Sequence, residues 1–65
     1  MKKSDIQIGD EFFITKFGDY LFNPGEVVKV TNKYKSGLLI LHPNLIEVQS
    51  KFNKISDLVT LDEIM

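Results

Sequence analysis

The sequence predicts an all-β domain: five short strands closed into a small barrel, with a single short helical turn before the last strand. Three observations lead there. Runs rich in β-branched and aromatic residues, residues 11–17 and 26–31 above all, are separated by turn signals at Gly9-Asp10, Asn23-Pro24-Gly25, residues 32–37 and His42-Pro43-Asn44. No stretch before residue 53 carries the 3.6-residue apolar period of an amphipathic helix. The chain of 65 residues holds no cysteine, so a single small core must stand on packing, or on packing plus a partner, without disulfide or cysteine-bound zinc.

In order along the chain, residues 1–5 are polar and expected to fray within the one domain that residues 1–65 allow. Ile6-Gln7-Ile8 alternates, and Gly9-Asp10 marks a turn or bulge ahead of a first strand over residues 11–17. There Phe12 and Ile14 share one face, while Phe13, Thr15 and Phe17 share the other. Residues 18–24 read as a loop that carries Tyr20, Leu21 and Phe22; Tyr20 and Phe22 are expected to fold back over the core. Asn23-Pro24-Gly25 is a turn with a mechanism, since Pro fixes the first central φ and Gly supplies the positive φ that a type II turn needs at the second. In the strand that follows, Val28 and Val30 point inward, and Val27, Lys29 and Thr31 outward.

Residues 32–37 are a polar hairpin loop ending in Gly37. Leu38-Leu39-Ile40-Leu41 is a continuous apolar run bounded by turns, which predicts a central strand covered on both faces. After His42-Pro43-Asn44, residues 45–52 alternate, with Ile46, Val48, Ser50 and Phe52 on one side. Residues 53–58 hold room for one helical turn capped by Asn53 or Ser56, and residues 59–64 for a closing strand; a terminal helix over residues 53–65 is the alternative. The predicted core is Phe12, Ile14, Phe22, Val28, Val30, Leu39, Leu41, Ile46, Val48 and Val59.

The net charge of −1 gives no global field toward nucleic acid or membrane. Its distribution is uneven: residues 27–54 carry five Lys and one acid, and both ends are acidic. Every cation is Lys, and Arg and Ala are absent. A composition rich in Lys, Asn, Ile and Phe follows AT-rich codons and is compatible with a bacteriophage or mobile element. No apolar run is long enough for a signal peptide or a membrane span, so the expectation is a cytoplasmic chain with no membrane role.

With the strands placed, residues 11–64 resemble a Src-homology-3-type barrel. Residues 18–26 look like that family's RT loop, and Phe22-Asn23-Pro24-Gly25-Glu26-Val27-Val28 is similar to its lead-in to the second strand. On that likeness residues 32–37 would be the n-Src loop, residues 42–44 the distal turn and residues 53–58 the single helical turn. The family's peptide groove needs an Ala-Leu-Tyr-Asp-Tyr run, a Trp after the n-Src loop and a Pro-x-x-Tyr in the helical turn. This chain has Phe12-Phe13-Ile14-Thr15-Lys16 in the first, no Trp, and Ile55-Ser56-Asp57-Leu58 in the last, so proline-rich binding is not implied.

No catalytic constellation and no cofactor or metal site is expected, and the protein reads as no enzyme. His42, the only imidazole, sits beside Pro43 in a turn with no second ligand in spacing. Asp10-Glu11 and Asp62-Glu63 could meet if the first and last strands are neighbours, but solvated edge charges are the simpler reading. The favoured function is protein binding, as an inhibitor or adaptor of a partner protein. Phe13, Phe17, Tyr20, Leu21 and Val27 exceed what so small a core can hold, and a leftover aromatic cluster is what an interface anchor looks like; the plain alternative is a second cluster sealing the loop. Pairing of edge strands between copies would make a homodimer. The alternative function is single-stranded nucleic-acid binding through Lys29, Lys33, Tyr34, Lys35, Lys51 and Lys54, where Lys meets phosphate and an aromatic stacks a base. It requires residues 33–35 and 51–54 to lie near one rim.

Overall fold

The structure is a computed structural model that describes residues 2–16 and 21–65. Among the described residues four strands form one antiparallel sheet in chain order, β1 (Glu11–Phe13), β2 (Val27–Asn32), β3 (Leu45–Ser50) and β4 (Ser56–Thr60). The all-β expectation therefore holds at the level of one four-stranded sheet with little helix. The sheet begins at the predicted turn. Gly25 takes φ +88° and the Glu26 N–H donates to the Asn23 carbonyl at 3.0 Å, the i to i+3 bond of the type II geometry. The Glu26 carboxylate reaches back to accept the Asn23 N–H at 3.0 Å, which fixes the turn from its other side.

Register follows the alternation. Phe12 lies opposite Val28, Val28 opposite Ser50, Val30 opposite Val48, and Ile46 opposite Val59. These rows form the inner face, and Ile6, Ile14, Phe22, Leu61 and Ile64 complete the buried cluster, with Phe12 half-buried against it. Burying these side chains is the main driving force available to a domain with no cross-link. Phe22 is 2% exposed, so it folds over the core as expected. Tyr20 and Phe17 lie outside the described residues.

Several elements differ from expectation. Leu38–Leu41 is one turn of α-helix, α1, rather than a strand. Gly37 at φ +53° redirects the chain, and the N–H groups of Ile40 and Leu41 both donate to its carbonyl. An apolar run of four residues fits a strand or a helix equally by pattern, and Leu is a strong helix former. One consequence is that Leu39 is buried while Leu41 is 76% exposed and outside the core. β3 stops at Ser50, because the buried Ser50 Oγ accepts the N–H groups of Phe52 (3.1 Å) and Asn53 (3.4 Å) and turns the chain.

Phe52, given core parity by the alternation, is 90% exposed. Residues 53–58 hold no helical turn: Lys54 adopts a left-handed φ of 65°, and β4 begins at Ser56. The helical turn comes later, as a 3-10 turn at Leu61–Glu63, where Glu63 reaches back to accept the Thr60 N–H at 3.1 Å and its hydroxyl at 3.0 Å. Past this turn Ile64 bridges Ile14, and Phe13 and Met65 exchange backbone hydrogen bonds at 3.0 and 2.9 Å. The first strand and the chain's last residues are thus neighbours. The N-terminal segment, expected to fray, forms a 3-10 turn at Lys3–Asp5. Lys3 is only 4% exposed, and its ammonium donates to the carbonyls of Leu39 (2.6 Å) and His42 (3.0 Å), satisfying groups that α1 leaves open.

Candidate functional site

The lysine–aromatic segments fall at opposite ends of the sheet. Lys51 donates its N–H to Val27 at the start of β2, whereas Lys33 follows Asn32 at its end. Five residue steps of about 3.3 Å put the two ends about 17 Å apart, not on one rim. Nor are the ammonium groups idle. Lys51 pairs with Glu11 at 2.8 Å, and Lys33 donates to the Ile6 carbonyl. The exposed Tyr34 ring lies 5.0 Å from the Lys3 ammonium and 5.4 Å from that of Lys33, within cation–π range of both. Lys29 projects from the outer face opposite Glu11, Lys35 stands near Glu47, and Lys54 occupies the β3–β4 turn.

Three of the four paired carboxylates have partners of their own. Asp10 accepts the Gln7 N–H at 2.9 Å, Glu11 meets Lys51, and Glu63 closes the turn at Thr60. The hydrogen bond from Lys51 holds the Glu11 carboxyl below its usual range. Glu47 is also held low, first by the Asn32 amide at 2.7 Å, then by the Thr31 hydroxyl at 2.8 Å. Among the described residues no three His, Asp or Glu side chains converge as a metal site would need. His42 donates its backbone N–H to the Leu38 carbonyl, and its own carbonyl accepts from Lys3 and Leu45; its role here is that of a turn residue.

The apolar candidates fare differently. Phe13 is 58% exposed on the outer face, directly opposite the half-buried Val27. Leu21 stands exposed just before the Asn23 turn, and across from it stands Phe52. Together with Asn23, Glu26 and Asn53 these two line an open groove of about 340 Å³. Its position follows from two local devices already described, the Asn23-Pro24-Gly25-Glu26 turn and the Ser50-capped turn at residues 51–53. They are tied to each other, because the Ser50 hydroxyl donates to the Glu26 carboxylate. The structure thus brings Leu21 to a groove whose other apolar wall, Phe52, alternation had assigned to the core. The Ser50-x-x-Asn53 polar spacing was the available signal that the strand ends before Phe52.

Comparison with protein-family models, with curated proteins and with solved structures gives no match for this chain. No helix among the described residues is long and apolar enough to cross a membrane.

Proposed function

We propose that this chain is a non-enzymatic binding module that holds a protein partner at the groove between Leu21 and Phe52, on a small Src-homology-3-like barrel. One observation carries the binding reading: Phe52 presents an almost fully exposed aromatic ring beside a second exposed apolar side chain and a polar groove floor. A large aromatic held at a tight turn is costly to leave in water and loses little rotamer freedom on capture, which is the profile of an interface anchor. Phe13 and Val27 face each other on the outer face at the same end of β2. The barrel reading draws support from chain order: a long connection after β1, a three-strand meander, a 3-10 turn, and last residues that return to β1. In it residues 33–44 would take the n-Src position and residues 51–55 the distal position.

The nucleic-acid reading loses ground to the separation of its two segments and to the pairing of Lys51 and Lys33. Display selection of peptides on the folded chain tests the proposal, with counter-selection on Leu21→Ser and Phe52→Ser, both exposed positions. Binders that bind the wild type and not these variants are the expected result. Selected peptides indifferent to both substitutions would refute it. So would amide NMR shifts at residues 32–37 and 51–54 with single-stranded DNA that weaken steeply with salt.

A further inference from the structure

We propose that the groove receives an arginine side chain of the partner protein, its guanidinium plane lying against the Phe52 ring and its N–H groups directed at the Glu26 carboxylate. This rests on the protein-binding reading and adds what the partner must present. Of the five described residues that line the groove, Glu26 alone is charged, Asn23 and Asn53 are amides, and Leu21 and Phe52 are apolar. A carboxylate offers about four acceptor positions. Among the described residues the Asn23 N–H takes one on Oε2 and the Ser50 hydroxyl one on Oε1, which holds the carboxylate in place and leaves acceptor capacity toward the groove.

Two lysines flank the groove residues Phe52 and Asn53 in sequence, and the first, Lys51, is engaged by Glu11. Lys54, next to Asn53 in the turn, is not one of the walls. Each class of side chain meets this groove differently. An anion is repelled by Glu26. A purely apolar side chain would cover Glu26 without pairing it, which costs desolvation. An ammonium is a strongly hydrated point charge that cannot lie flat on a ring. A guanidinium is planar, weakly hydrated, carries five donors and no acceptor, and stacks on aromatic faces while bonding a carboxylate. It satisfies both walls at once. The occupant is not a second copy of this chain, because the sequence contains no Arg.

The test is an amide NMR titration of the full chain with three capped tripeptides, Gly-Arg-Gly, Gly-citrulline-Gly and Gly-Leu-Gly. Citrulline keeps the length and planarity of arginine and removes its charge. The arginine peptide is expected to shift Leu21, Asn23, Phe52 and Asn53 and to bind roughly tenfold tighter than the citrulline peptide. Phe52→Leu, at an exposed site, should remove most of that preference by deleting the ring face, and Glu26→Gln by deleting the charge. Equal response to arginine and citrulline, or none at the groove, overturns the inference. If the leucine peptide moves the groove as strongly as arginine, or display-selected binders depend on Phe52 but carry no arginine, the guanidinium is refuted while protein binding stands. If no selected binder depends on Leu21 or Phe52, the parent reading falls with it.

Discussion

Phe22 and Phe52 make an internal control, because the same residue type sits once in the core and once in solvent. Phe22 is 2% exposed and Phe52 90%. Truncating a buried Phe to Ala costs about 3–5 kcal/mol through lost transfer energy and the cavity left behind. A domain of 65 residues has a total stability of about 3–10 kcal/mol at the usual per-residue range. Phe22→Ala should therefore remove a third or more of the stability and sit near the edge of unfolding, while Phe52→Ala should stay within about 0.5 kcal/mol of wild type. The assay is urea denaturation followed by far-ultraviolet circular dichroism, since the chain has no Trp to report by fluorescence. With a slope of about 1 kcal/mol per molar urea for so small a domain, Phe22→Ala should lower the midpoint by about 3–5 M and Phe52→Ala by less than about 0.5 M. Phe22→Leu, a smaller volume change, keeps a folded variant measurable at a cost of about 1–1.5 kcal/mol. A Phe52→Ala loss as large as that of Phe22→Leu would refute the placement of both rings, and with it the groove.

Two further outcomes follow from the charged groups. The Glu47 carboxyl is held below the usual value of 4.5 by Asn32 and then Thr31, with Lys35 contributing, so its stabilisation is present above that value and is lost as pH falls through the lower folded-state value. Thr31→Val should move the Glu47 midpoint upward in a carboxyl-carbon NMR titration, and an unchanged midpoint would refute the assignment. The Lys3 ammonium is held below 10.5, chiefly by burial and then by Lys33. Between its folded value and 10.5 the unfolded chain binds the proton more tightly, so this group makes stability rise with pH across that window. Urea midpoints of wild type and Lys3→Met, compared from pH 8 to 11, should differ by that rising slope, and parallel profiles would count against a buried charged Lys3.

What the sequence disclosed and what it concealed divide along a physical line. Turns with their own chemistry were legible: the Pro24 ring fixes its φ, Gly25 admits the positive φ that follows, and the β-branched run after them favours an extended strand. The inner rows of β2 and β3 followed from alternation because each of those strands buries one face. Leu38–Leu41 was not legible, because four apolar residues span too little chain for a period of 2 and a period of 3.6 to separate. Its helical state depends on Gly37, and on Lys3, 36 residues earlier in the chain, meeting the Leu39 carbonyl, a contact that no local window contains. Alternation also overran the end of β3 and carried Phe52 inward, although the serine that ends the strand is itself on the inner face. The late helical turn was readable in principle: Thr60-Leu61-Asp62-Glu63 has the spacing by which a Glu reaches back to cap a turn. Of the expected interface residues, Leu21 lies at the groove, Phe13 and Val27 lie opposite each other on the outer face, and Phe17 and Tyr20 fall outside the described residues; Phe52, given core parity by alternation, forms the groove's other apolar wall.

The acidic residues have a common office that bears on how the groove should be understood. Asp5, Asp10, Glu26 and Glu63, four of the nine acids, each accept the backbone N–H of the residue three positions earlier. Each tightens one turn, and a domain with so small a core gains from having its turns fixed locally, because every residue left loose adds to the entropy that burial must offset. Half of the eight acids at the two ends of the chain therefore serve turn closure. Glu26 departs from the others in one respect. It closes its own turn through Asn23 and also receives the hydroxyl of Ser50, the residue that ends β3 and throws Phe52 outward. The carboxylate at the groove floor and the aromatic ring at its wall are thereby set by one hydrogen-bonded junction between two turns. Replacing Ser50 by Ala would loosen both at once, whereas Phe52→Leu changes the ring alone, and that difference separates a site that is positioned from one that is merely exposed.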